Sequence, residues 1–192
     1  MVAIIQYNAG NIASVENAVK RLGFPCRVTG DIEEIRGAEK VIFPGVGEAS
    51  SAMIYLRERK LDTVIQSLAQ PVLGICLGLQ LMCNKSEEGN STCLGIFDAT
   101  VKKFPAAGIV PHMGWNSLLT KDSPLFTGLE KEDTFYFVHS YYAGLCEQTL
   151  ASCEYLLPFS AAMQQDNFFA TQFHPEKSGN VGEKLLLNFL KM

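Results

Sequence analysis

Apolar positions along this chain fall into two regimes. Up to about residue 84, short unbroken apolar runs alternate with helical spacing. Residues 2–7 (Val-Ala-Ile-Ile-Gln-Tyr) read as a buried strand, and Asn8-Ala9-Gly10-Asn11 as a turn. Val15, Ala18, Val19 and Leu22 then share one helical face over residues 14–22, and Gly23-Phe24-Pro25 stops that helix. Residues 26–29 and 40–43 read as further strands, the second ending abruptly in Pro44-Gly45-Val46-Gly47. Residues 49–68 are helical in two pieces around Lys60. Next comes the charge-free stretch Pro71-Val-Leu-Gly-Ile-Cys-Leu-Gly-Leu-Gln80, read as a strand, a sharp turn and a helix running to about Asn84. This β-α-β rhythm predicts a parallel sheet with helices on both faces.

The rhythm changes after Lys85. Residues 87–91 form a polar loop, and little helix follows until the end. Candidate strands are 99–104, 116–119, 134–138, 149–153, 161–165 and 168–172, the last two joined through Asp166-Asn167 as a tight hairpin. Residues 180–192 place Val181, Leu185, Leu186, Phe189 and Leu190 on one face of a closing amphipathic helix. The expectation is one α/β domain over residues 1–192 with an antiparallel second half.

Composition narrows the function classes. A formal net charge of -4 with scattered Lys and Arg argues against nucleic acid and against a basic membrane surface. No apolar run reaches transmembrane length, and no leader precedes the first strand, which points to the cytoplasm. The six cysteines (26, 76, 83, 93, 146, 153) contain no C-x-x-C pair and accompany only three histidines. That pattern favours reduced thiols over a metal site or a disulfide framework, and nothing in it calls for a cofactor.

The chemistry centres on Cys76. Gly74-Ile75-Cys76-Leu77-Gly78 has the layout of a nucleophile elbow, G-x-C-x-G, where a Cβ beside the nucleophile would clash. A thiol there is presented at a strand's carboxyl end, beside a helix start that favours its thiolate. A buried structural cysteine is the competing reading. A thiol nucleophile needs a base and an orienting group, and His174-Pro175-Glu176 offers both, its two side chains sharing one side of an extended segment. A plain turn before the last helix is the alternative. His112 and His139 are rival bases, each without a carboxylate nearby in sequence. Pro44-Gly45-Val46-Gly47 ends a parallel strand where open α/β sheets place their sites. Its backbone N–H groups, with that of Leu77, could form an oxyanion hole, or the segment could be an ordinary β-to-α turn. A peptide flip at Val46, eased by its flanking glycines, would create or withdraw such a donor.

Taken together, Pro-Gly-Val-Gly, Gly-Ile-Cys-Leu-Gly-x-Gln and Phe-His-Pro-Glu, in that order, resemble the class I (triad) glutamine amidotransferases over essentially the whole chain. Tyr7-Asn8-Ala9-Gly10-Asn11, His112-Met113-Gly114-Trp115-Asn116 and His139-Ser140-Tyr141-Tyr142 are similar to the glutaminase subunits of imidazole glycerol phosphate synthases within that class. The resemblance implies a flavodoxin-like, mostly parallel central sheet flanked by helices, with an additional antiparallel β portion. It implies a Cys76-His174-Glu176 triad that hydrolyses L-glutamine through a γ-glutamyl thioester, with oxyanion donors at Val46 and Leu77. Gly45, Gly47, Gln80, Ser140 and Tyr141 match substrate-holding positions. Asn8, Asn11, Met113 and Trp115 match the face turned to a (β/α)₈-barrel cyclase subunit, the partner in a heterodimer, which would receive the ammonia for histidine biosynthesis. A free-standing γ-glutamyl hydrolase and a non-enzymatic scaffold are the alternatives.

Overall fold

The computed structural model describes residues 1–8 and 10–192; Ala9, within the expected turn at 8–11, lies outside the described residues. The strands are β1 (Val2–Ile5), β2 (Cys26–Thr29), β3 (Lys40–Gly45), β4 (Val72–Cys76), β5 (Cys83–Ser86), β6 (Ser91–Thr92), β7 (Phe97–Lys103), β8 (His112–Ser117), β9 (Leu119–Thr120), β10 (Thr134–His139), β11 (Tyr141–Ala143), β12 (Thr149–Tyr155), β13 (Leu157–Gln165) and β14 (Phe168–Thr171). The α-helices are α1 (Ile12–Arg21), α2 (Ile32–Arg36), α3 (Ala49–Glu58), α4 (Leu61–Gln66), α5 (Leu77–Met82) and α6 (Gly179–Lys191).

Eight strands form the central sheet in the order β2-β1-β3-β4-β14-β13-β12-β9. The first five run parallel, and β13, β12 and β9 continue the sheet antiparallel. Strands β1, β4 and β14 are buried throughout, as a parallel sheet covered on both faces requires. On one face, α2, α3, α4 and α5 pack with β7 around Phe43, Met53, Leu56 and Phe97. On the other, α1, α6 and β10 enclose Val19, Phe137, Phe173 and Phe189. The apolar face of α6 alone buries Leu185, Leu186, Phe189 and Leu190, each side chain stabilising by about 1.5–3 kcal/mol. Two smaller sheets, β10-β8 and β11-β7-β5-β6, flank the carboxyl end of β4. No helix among the described residues is long and apolar enough to cross a membrane.

The mostly parallel, helix-flanked sheet and its antiparallel extension match the expected architecture. The helix break at Lys60 is present, with Lys60 left-handed at φ 57, and Asp166-Asn167 joins β13 to β14. Other boundaries differ. The helix after the elbow stops at Met82, because Cys83 turns extended to pair with β7. The expected single strand at 116–119 is two, β8 and β9, which belong to different sheets. The apolar pattern does not predict the short helix α2; Asp31 caps it by accepting from Glu34 N–H at 2.9 Å. Strands β5, β6 and β11 are also unpredicted, being too short and mixed in polarity to show a period.

Candidate active site

Cys76 closes β4 and opens α5 with φ 54 and ψ -105, a conformation costly for any residue with a Cβ. The elbow is that sharp because its glycines permit it. A Cβ on Gly78 would lie 1.9 Å from the Phe43 carbonyl oxygen, and one on Gly74 would lie 2.9 Å from the Met82 sulfur. Strand β4 lies between β3 and β14. Gly45 is therefore level with Cys76 on one side, and the segment after Thr171 emerges on the other. This is how residues far apart in sequence converge on one sulfur.

His174 and Glu176 meet, though not through an extended segment. Pro175–Lys177 is a tight turn, and the side chains are brought together by that curvature. The His174 Nδ1–H donates to Glu176 Oε1 at 2.8 Å, with both side chains essentially unexposed. The turn is held on both sides. His174 N–H donates to the Tyr136 carbonyl at 2.9 Å, and Ser178 Oγ–H donates to the His174 carbonyl at 2.7 Å. Asn11 Nδ2 donates to the same glutamate oxygen at 2.6 Å. Burial alone would push the His174 imidazole down. The nearby Cys76 sulfur, with the hydrogen bond and charge of Glu176, outweighs it and holds the group up at about 10. The Nε2 atom is buried without a hydrogen-bond partner.

A cavity of about 300 Å³ opens over the sulfur. Val46, Gly47, Cys76, Leu77 and Gln80 line one side, and Pro111, Val138, His139, Ser140 and Tyr141 the other. Gly45 lies beneath, buried, its missing Cβ replaced by the Tyr7 hydroxyl, which would be 2.0 Å away. Gly47 has φ 132 with open space where a Cβ would stand. The Val46 carbonyl accepts a long bond of 3.3 Å from Gly10 N–H. Glu88 supplies the one charged side chain on the wall. Burial raises its carboxyl above the ordinary range, against the Ala49 N–H bond that lowers it, with Glu48 raising it further.

The rival histidines pair with each other. His112 Nδ1 lies 3.0 Å from His139 Nε2, and His139 Nδ1 lies 2.7 Å from the Tyr141 carbonyl. Burial pushes His112 down to about 4 and His139 to about 3, so both rest neutral near pH 7. Neither bonds Cys76. All six cysteines are free thiols. Burial pushes Cys93 up to about 11 and Cys153 to about 12, which keeps them protonated. No group of three or more His, Cys, Asp or Glu among the described residues could hold a metal ion.

Of the residues assigned to a partner face, Met113 and Trp115 are 63% and 57% exposed on β8. Asn8 is exposed, its amide on the Ser51 carbonyl at 3.2 Å. Asn11 instead turns inward to Glu176. The sequence assigns no role to three groups at the site. Gln172 is wholly buried with Nε2 3.7 Å from Cys76 Sγ, and in the sequence it only precedes Phe-His-Pro-Glu. Glu88 sits in a polar loop with no motif. Tyr7 lies just beyond β1, and its buried hydroxyl has no hydrogen-bond partner.

The family described as glutamine amidotransferase class-I matches residues 3–192. The chain is 56% identical to an imidazole glycerol phosphate synthase subunit HisH from Bacteroides fragilis, covering 100% of this chain and 99% of that one. It is 54% identical, with the same coverage, to the subunit HisH from Bacteroides thetaiotaomicron. A solved glutamine amidotransferase shares the fold, with a TM-score of 0.75 at 24% identity over 100% of this chain and 98% of that one.

Proposed function

The chain belongs to the class-I glutamine amidotransferases, among the HisH subunits of imidazole glycerol phosphate synthase, and from that premise we propose that it hydrolyses L-glutamine at Cys76. The observation that carries this reading is the buried 2.8 Å contact of His174 with Glu176 in the turn that follows β14, the strand beside the Cys76 elbow. His174 takes the thiol proton through Nε2, while Glu176 fixes its tautomer and balances the imidazolium. The thiolate adds to the side-chain carboxamide carbon, and the oxyanion forms against the N–H of Leu77 and the Val46 turn. Collapse breaks the C–N bond, and His174 returns its proton to the departing ammonia. Water then attacks the γ-glutamyl thioester, His174 accepting its proton, and glutamate leaves as the thiol is restored.

The cavity fits an amino acid at the end away from the sulfur. Glu88 offers a carboxylate to an α-ammonium. Gln80 has both amide hydrogens committed, to the Tyr141 carbonyl at 3.0 Å and Gln172 Oε1 at 3.0 Å, so toward a ligand it can only accept. Gly45, Gly47, Ser140 and Tyr141 contribute backbone.

On this reading residues 1–192 act as one cytoplasmic domain in a heterodimer. Ammonia passes to a (β/α)₈-barrel cyclase subunit seated on the face that carries Asn8, Met113 and Trp115, with Asn11 between that face and the triad. The cyclase uses it to make imidazole glycerol phosphate and an aminoimidazole carboxamide ribotide. The experiment is glutamate release from glutamine, with and without the cyclase and its ribotide ligand. A large rise with the partner, abolished by Cys76→Ala, is expected. Equal turnover without the partner would instead make the protein a free-standing hydrolase.

A further inference from the structure

We propose that the side-chain amide of Gln172 is a further catalytic group, donating a hydrogen bond to the Cys76 sulfur that favours its thiolate. The inference rests on the reading of Cys76 as the nucleophile. Gln172 is completely buried, its backbone N–H is fixed on the Ala161 carbonyl at 2.8 Å, and its Nε2 lies 3.7 Å from Cys76 Sγ.

Which end of the amide faces the sulfur follows from its neighbours. The Tyr141 carbonyl can only accept, and it receives His139 Nδ1–H at 2.7 Å and Gln80 Nε2–H at 3.0 Å. Gln80 must then present its second amide hydrogen to Gln172, 3.0 Å away, so Gln172 answers with Oε1. That leaves the Gln172 NH₂ for the sulfur. A flipped Gln172 would set two amino groups against each other and point a carbonyl lone pair at the thiolate. The chain is locked at its far end too. With Nδ1 of His139 protonated, its Nε2 must accept from His112 Nδ1–H at 3.0 Å. The side chains of the network are each at least nine-tenths buried, with Gln80 5%, His139 6% and His112 3% exposed. In such surroundings a donor aimed at a sulfur stabilises the anion far more than the neutral thiol.

The test is the pH profile of Cys76 alkylation by iodoacetamide on the full chain. It is read by mass spectrometry at that cysteine from about pH 6 to about pH 9, beside glutamate release with the cyclase present. Gln172→Glu keeps the shape and the acceptor for Gln80 but sets a carboxylate against the sulfur. Its profile should move to higher pH by at least about one unit, roughly tenfold slower alkylation near pH 7. Gln172→Met removes the donor without adding charge and should shift the profile the same way by less; it carries the test if Gln172→Glu fails to fold. A folded variant that alkylates along the wild-type profile, or slows uniformly at every pH, overturns the proposal. A shifted profile in a protein whose wild type releases no glutamate would uphold the donor and refute the hydrolase reading.

Discussion

Replacing His112 by Phe should change the sign of its effect on stability between neutral and mildly acid pH. His112 lies between Tyr155 (centroids 4.0 Å apart, 13° between planes) and Phe137 (4.8 Å, 24°), so a phenyl ring fits the same slot. What the substitution removes is the Nδ1–H donated to His139 at 3.0 Å, worth about 1 kcal/mol. What it relieves is a proton penalty. The folded imidazole titrates at about 4, below its ordinary 6.5, because burial disfavours the cation. Unfolded chains therefore bind more protons as pH falls below 6.5, and stability that is fully present above that value is lost. At pH 5 the loss is RT ln(1 + 10^1.5), about 2 kcal/mol, and at pH 6 about 0.8 kcal/mol. The result hardly depends on the folded value as long as that lies well below 5. A phenyl ring in the slot has no such penalty. The His112→Phe variant should be about 1 kcal/mol less stable near pH 8, equal near pH 6, and about 1 kcal/mol more stable at pH 5. Urea unfolding at fixed ionic strength and under reducing conditions measures this, and the other titrating groups largely cancel in the difference. A difference between the two proteins that is constant from pH 5 to pH 8 would refute a buried, neutral His112.

Glu176→Gln keeps an oxygen for His174 Nδ1–H but loses the charge that balances the imidazolium; kcat for glutamate release should fall by about 10²–10⁴ with KM little changed, and a loss within threefold would remove Glu176 from the triad. Asn11 is left-handed at φ 67, so Asn11→Gly keeps the backbone and deletes only the 2.6 Å bond to Glu176; partner-stimulated turnover should drop about tenfold, whereas full activity would make that contact incidental. Tyr7→Phe deletes a buried hydroxyl without a partner, whose titration burial and then Cys76 push up from the ordinary range; urea unfolding should show a gain of about 1 kcal/mol, and a loss would reveal an acceptor for that hydroxyl.

The parallel half of the fold and the meeting of His174 with Glu176 beside the Cys76 elbow are legible because each has a local signature. Charge-free runs bounded by glycine mark buried strands, and the glycines two positions either side of Cys76 mark the elbow. The order of strands in the sheet has no such signature. Nothing near residue 172 indicates that β14 lies beside β4, and only that adjacency gives Gln172 the Cys76 sulfur to bond. The same holds for Glu88, drawn to the cavity wall by its bond from Ala49 N–H at 2.8 Å. Spacing suggests that His174 and Glu176 meet in an extended segment. They meet instead because Pro175 opens a tight turn that Ser178 closes. In the sequence His112 and His139 are two separate candidate bases, and cross-strand pairing makes them one hydrogen-bonded unit.

That cross-strand pairing also explains how an exposed face and the buried histidine pair share one element. Strand β8 alternates, with Met113 and Trp115 turned outward and His112 inward. Trp115 is paired in register with Tyr136 on β10, their rings 5.8 Å apart. The backbone of Tyr136 is in turn the anchor of the His174–Ser178 turn, since its carbonyl accepts His174 N–H and its N–H donates to Ser178 Oγ at 3.0 Å. Two strands, one residue pair wide, thus separate the tryptophan from the histidine. A subunit seated on Trp115 would bear on a pair whose other member holds His174 in place, and on a strand whose inward residue ends the hydrogen-bonded chain leading through Gln80 and Gln172 to the sulfur. One route ends at His174 and the other at Gln172, and β8 takes part in both.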